Sequence, residues 1–225
     1  MKHSGSKAQI QVLQGLLVFS GVSIGLFVAR VVGAGNMRFW FLVWNLFLAW
    51  IPLVCAAALH VWLKRNRWAS WQGIVLSTLW LGFLPNAFYL ISDFIHLRDT
   101  GEVGRLFDAV MLMSFAFSGV LLGFVAIYIV QLQLRRRLSA QRSWVMVGIV
   151  LLLCSFAIYM GRFLAWNSWD VIANPGGILF DVSDRVINPG QYSTTFTTTL
   201  MFFVLVSGIY FGMHKLVRGL QSIND

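Results

Sequence analysis

Charge is the scarcest commodity in this sequence. Only 11% of its 225 residues are Asp, Glu, Lys or Arg, where a soluble domain carries about 25%. Acidic residues are the rarer kind, eight against seventeen basic ones. The two cysteines, Cys55 and Cys154, lie far apart inside apolar runs, which excludes a disulfide framework and the CxxC type of redox or zinc site. There are four histidines, His3, His60, His96 and His214, and helix geometry sends His96 to the opposite end from the others, so a His-rich zinc centre cannot assemble around it. No G-x-S-x-G, H-E-x-x-H or P-loop pattern occurs, and the usual hydrolase, zincin and nucleotide signatures are therefore missing. We expect no metal and no cofactor. Asp93, His96, Asp170 and Asp181 form a weaker set for a hard cation.

What is present is hydrophobic residue in long blocks, 58% of the chain. Six stretches hold no charge at all: 8–29, 39–63, 68–92, 109–134, 143–161 and 186–214. A helix needs roughly 20 apolar residues to cross a hydrocarbon core of ~30 Å. The blocks exclude a soluble domain, a disordered chain and a membrane β-barrel, whose strands alternate over ~10 residues. They predict an all-α polytopic membrane protein of one domain, 1–225, with six transmembrane helices near 9–32, 39–63, 70–94, 106–133, 143–165 and 191–214. The first block is longer than the 7–15-residue apolar region of a signal peptide and reads as a retained anchor.

Lys and Arg near helix ends stay on the cytoplasmic side of a membrane. With the N-terminus placed there, eleven basic residues fall inside (Lys2, Lys7, Lys64, Arg65, Arg67, Arg135, Arg136, Arg137, Arg142, Lys215, Arg218) and six outside, together with seven of the eight acids. Both termini are therefore expected to be cytoplasmic. Trp40, Trp44, Trp166 and Trp169 fall at the outer boundary and Trp62, Trp68, Trp71 and Trp144 at the inner one, as interfacial belts do. The basic excess marks topology and contact with lipid headgroups. Nucleic acid would need more basic surface than these short loops offer. Membrane lipids are the expected partners, and the sequence names no protein partner.

One connection is long. Residues 166–190 read WNSWDVIANPGGILFDVSDRVINPG, with Asn-Pro-Gly at 174–176 and again at 188–190. Those triplets favour turns over helix, and long connections are often functional. A flap over the outer face is the first expectation, a short interfacial helix the second. Among helix contacts, Gly21/Gly25, Gly119/Gly123 and Gly208/Gly212 are GxxxG pairs, expected to pack within the molecule.

The polar residues of the third span share a face. Pro85 should kink that helix. With Asn86 at zero and 100° per residue, Tyr89, Asp93 and His96 fall at about −60°, −20° and −80°. Gly82 lies on the same stripe and leaves room beside it. Arg30, Asn45, Arg105, Asp108, Arg162, Asn167, Trp169, Asp170 and the Thr-rich start of the last span reach a similar depth, and such groups need partners inside a bilayer. This suggests an outward-facing polar pocket walled by the third and fifth spans, with Asn86, Tyr89, Arg162, Asn167, Trp169 and Asp170 around it. Its expected ligand is a small or lipid-linked anionic molecule at the outer leaflet. In an enzyme His96 would act as acid or base, Asp93 would orient it and Arg162 would hold the anion. A small-solute transporter needs polar lining through the inner halves, where Ser77, Thr78 and Ser155 are few. A non-catalytic assembly or partner-binding protein would use the layer for docking. The structural alternative is an Asp93–Arg162 ion pair with Asn86 steadying the proline.

Two segments carry a resemblance. LPNAFYLISDFIHL at 84–97 resembles the LPNAPY-x-x-TD-x-x-HL segment of the domain-of-unknown-function 1361 family, and GRFLAWNSWD at 161–170 resembles its G-R-F-x-R-W-N-S-W-D segment. Phe88, Ser92 and Ala165 depart from Pro, Thr and a basic residue. The resemblance implies a multi-pass protein of the bacterial cytoplasmic membrane. It brings no activity. It singles out Asn86, Tyr89, Asp93, His96, Arg162, Asn167, Trp169 and Asp170.

Overall fold

The structure, a computed structural model, describes residues 2–97, 103–166 and 170–223. Its long helices are α1 (Lys2–Ala34), α2 (Trp40–Trp62), α3 (Trp71–Ser92), α4 (Arg105–Arg135), α5 (Ala140–Leu164) and α8 (Ser193–Ile223), with short α6 (Asp170–Ala173) and α7 (Pro175–Ile187) between the last two. All six long helices are long and apolar enough to cross a membrane, and no strand occurs among the described residues. The protein is an all-α, six-span membrane protein. Successive spans run in opposite directions, so both termini lie at one end of the bundle and α7 at the other.

Local chemistry sets the helix ends. Ser70 and Ser139 cap α3 and α5 by accepting from the backbone N–H of Gly73 and Arg142, satisfying donors that a helix start leaves unpaired. Ala165 ends α5 in a left-handed conformation, φ 58°, the position where glycine is usual. The last span continues to Ile223, past the expected 214. Lys215 and Arg218 end the apolar run there but are good helix formers, so the helix outlives its hydrophobicity.

In a bilayer helices gain little from burying apolar surface against one another and associate through close packing. α4 is the most enclosed span, set against α1, α2, α3 and α5. Gly119 lets it approach α3 so closely that an added Cβ would stand 2.3 Å from the Ala87 carbonyl oxygen, and one on Gly123 would press the Phe88 ring at 2.7 Å. Added Cβ atoms at Gly21, Gly25, Gly208 and Gly212 would meet nothing within 4 Å. Of three pairs expected to pack internally, one does so. α8 is peripheral, lying along α5 and reaching α4 through Tyr210, whose hydroxyl donates to Gln131 Oε1 at 2.9 Å.

The 166–190 connection is mostly helix. Asn174 accepts from Gly177 N–H as the cap of α7, and Pro175 occupies its first turn. Proline there gives up an N–H that would be unpaired anyway, and its φ suits a helix start. The first Asn-Pro-Gly therefore opens a helix, where a turn was expected. The second behaves as a turn, with Gln191 N–H donating to the Asn188 carbonyl.

Candidate functional site

The geometry of one helix end organises this site. At Asp93 the α3 helix tightens into a 3₁₀ turn, Asp93–His96. At about 120° per residue, positions three apart eclipse, so His96 stands over Asp93 and not some 60° away. Opposite them, the last turn of α5 presents Arg162.

Arg162 is the hub. Its Nη2 donates to Asp93 Oδ1 at 2.6 Å and to Ser92 Oγ at 2.7 Å. Nε also faces Ser92 Oγ at 3.2 Å, and Nη1 lies 3.0 Å from His96 Nε2. The guanidinium rests over the Tyr89 ring, 4.4 Å from its centroid. Gly161 permits that stack, because an added Cβ would strike Tyr89 at 2.8 Å. Asp93, 1% exposed, also accepts from Asn45 Nδ2 of α2 at 3.2 Å. Three spans thus meet on one carboxylate. Asn86 donates to the Phe83 carbonyl at 3.0 Å, one residue after the Pro85 that lacks a backbone donor.

The expected division of labour therefore changes. Asp93 was expected to orient His96. The observed bonds place Arg162 between them, its cation facing both groups. The Asp93–Arg162 pair foreseen as the structural alternative does form.

Beside this hub lies a cavity of about 400 Å³. Its polar wall is Asn45, Asn86, Tyr89, Asp93, His96 and Arg162, and its apolar wall includes Trp44, Leu48, Phe156 and Met160. α3 forms the floor and α2 and α5 the sides, with Ile178 and Val182 of α7 above. Gly82 and Pro85 border it, and a Cβ on Gly82 would meet nothing within 4 Å. Volumes of ~300–1,000 Å³ are typical of small-molecule sites.

Two further polar clusters lie at this end among the described residues. A second cluster joins α1 to α4, with Arg30 Nε 3.2 Å from Asp108 Oδ1 and Nη1 donating to Asn36 at 2.8 Å. A third holds α7 in place. Arg185 Nη1 donates to the Asp181 carbonyl at 2.7 Å, and Trp166 Nε1 donates to Asp181 Oδ2 at 2.7 Å. The Tyr192 hydroxyl and the Asn188 amide both donate to Asp184, holding its carboxyl below the usual carboxylate range. The same bond pushes the Tyr192 phenol up.

Residues 44–207 match the family described as Protein of unknown function (DUF1361). The chain belongs to that family. No curated protein and no solved structure matches it. The DUF1361 match spans both segments that carried the resemblance, and the structure brings their Asn86, Tyr89, Asp93, His96 and Arg162 to one cavity. Asn167 and Trp169, with the loop charges Arg98, Asp99 and Glu102, lie outside the described residues. Asp170 opens α6 and is not one of the residues that line the cavity. Among the described residues, no group of three or more His, Cys, Asp or Glu gathers.

Sequence reasoning passed over Ser92, which in a regular helix lies about 40° beyond the edge of the polar stripe but is reached by the long Arg162 side chain. It also passed over Gln131 and Gln133, both buried. Gln133 Nε2 meets His60 Nδ1 at 2.6 Å at the end bearing the termini. Being uncharged, both glutamines hid in an apolar run; their polarity was the available signal.

Proposed function

We propose that this DUF1361 protein holds the polar head of a small or lipid-linked anionic molecule in the Arg162 cavity, at the outer leaflet of a bacterial cytoplasmic membrane. The observation that carries this is Arg162 standing in the polar wall of the cavity, opposite an apolar one, with one N–H to spare. A guanidinium has five N–H donors. Nε, both Nη2 hydrogens and one Nη1 hydrogen face Ser92, Asp93 and His96, and the second Nη1 hydrogen is left for a ligand. Asp93 already balances the cation, so the site suits a single negative charge, a carboxylate or phosphodiester, better than a dianion. Trp44, Leu48, Phe156 and Met160 offer an apolar remainder somewhere to lie.

The outer placement rests on the eleven basic residues at the end that bears the termini. Transport is less well supported, because the inner halves of α3 and α5 offer few polar side chains beyond Ser77, Thr78 and Ser155. Acid–base catalysis through His96 Nε2 would require Arg162 to release that nitrogen first.

Gly82→Phe tests the reading. It fills the cavity from an open position and leaves the ion pair intact. Native mass spectrometry of protein released from membranes should show a retained small or amphiphilic anion on the wild type and its loss from Gly82→Phe. Equal adducts on both proteins, with equal melting temperatures, would end the proposal.

A further inference from the structure

α7 is amphipathic in an unusual sense, with its polar side turned into the protein. Taking Ile178 as zero and 100° per residue, Asp181, Val182 and Arg185 fall between about −60° and +40°. Ile178 and Val182 line the cavity, and Arg185 is buried, 4.8 Å from the Tyr192 ring centroid. The other side, from about 80° to 200°, carries Leu179, Phe180, Ser183, Val186 and Ile187. Its four large apolar side chains are 65%, 72%, 65% and 74% exposed. Ser183 interrupts them without cost, since its hydroxyl donates to the Leu179 carbonyl.

Four exposed large apolar side chains on a 13-residue helix need a cover, and the position of α7 supplies one. Arg185 Nε reaches Tyr159 Oη at 3.5 Å. Tyr159 stands five residues before the end of α5, about 7.5 Å inside it at 1.5 Å per residue. α7 is thus pinned at the level of the span ends and not above them. Five residues, 188–192, separate it from α8, and an added Cβ on Gly177 would touch Trp166 at 2.8 Å. The neighbouring span ends carry exposed Phe163 and Phe196, 53% and 46%, so the apolar face of α7 continues the lipid-facing belt of α5 and α8.

We propose that the outward face of α7 is a lipid-binding surface, seated in the interfacial layer of the leaflet at its end of the bundle. The hydrophobic face of an interfacial helix sinks ~5–10 Å into the boundary between headgroups and chains. The bilayer therefore holds down the roof of the cavity. This surface stands independently of any ligand beneath it.

The test is electron paramagnetic resonance on nitroxides placed singly at Phe180 and Ile187, in full-length protein reconstituted into phosphatidylethanolamine–phosphatidylglycerol vesicles, with Asn66 as the aqueous reference. Both α7 sites should collide more readily with oxygen than with a water-soluble nickel chelate, by several-fold relative to Asn66. Ready access to nickel would place the face in water. Protection from both reagents would place it against protein, a second copy or another partner. Either result overturns the proposal. Phe180→Glu guards against label-driven insertion: it should raise nickel access at Ile187 several-fold while the melting temperature stays near wild type, and unchanged access there also counts against a lipid seat.

Discussion

Arg162 Nη1 faces His96 Nε2 at 3.0 Å, and this contact sets the role of that nitrogen. A guanidinium only donates hydrogen bonds, so Nε2 accepts. The residue that looked most like a free acid–base group is instead held as an acceptor by a cation that is also paired with Asp93.

Removing Arg162 should therefore damage folding before function. Asp93 is 1% exposed and Arg162 13%, and breaking a buried pair on one side costs about 3–5 kcal/mol. Arg162→Met is expected to lose that much in reversible unfolding. Arg162→Met with Asp93→Asn should recover a large part of it, because no stranded charge remains. A double variant as unstable as the single one would mean that the charge pairing is not what matters.

His96 should behave differently. It gives Arg162 one hydrogen bond, worth about 1 kcal/mol, and its removal leaves the Asp93–Arg162 pair in place. His96→Ala is expected to accumulate in membranes near the wild-type level and to melt within a few degrees of it, while the anion adduct weakens. Loss of folded protein comparable to Arg162→Met would show His96 to be a structural member of the pair.

Helix contact supplies a third comparison. An added Cβ at Gly119 meets the Ala87 carbonyl oxygen at 2.3 Å, and one at Gly25 meets nothing. Overpacking costs about 1–3 kcal/mol, so Gly119→Ala should destabilise by that amount. Gly25→Ala should be neutral, or stabilising by up to about 1 kcal/mol through helix propensity. Thermal unfolding in detergent separates them, and equal shifts would contradict the packing.

The α7–α8 corner should be sensitive to acid. Tyr192 and Asn188 hold the Asp184 carboxyl below its ordinary value, so this contact contributes fully above about pH 3.9, the ordinary carboxylate value, and is lost as the pH falls through the lower folded one. Amide exchange across residues 185–193, corrected for its intrinsic pH dependence, should be flat from neutral pH to about pH 5 and show protection falling only in stronger acid. Asp184→Asn should show the loosened pattern at every pH. Loosening that begins near neutrality would rule out this carboxylate as the cause.

Much of the architecture was legible in the sequence because a bilayer makes a one-dimensional demand. Uncharged blocks of 19 to 29 residues must become spanning helices, since every backbone polar group has to be satisfied within its own segment. The stripe of Asn86, Tyr89, Asp93 and His96 was legible for the same reason: neighbours on one helix are set by a fixed rotation per residue.

What joins separate helices was not legible. The sequence determined that Arg162 and Asp93 lie at similar depth, but only the tertiary structure placed Arg162 between Asp93 and His96 and brought Ser92 into its reach. It also chose one glycine pair of three for helix contact and turned the polar side of α7 inward. The reason is physical. Periodicity specifies the direction of a side chain about its own axis, whereas partners across helices depend on how each axis is rotated and how closely it approaches, and those follow from the packing of the whole bundle.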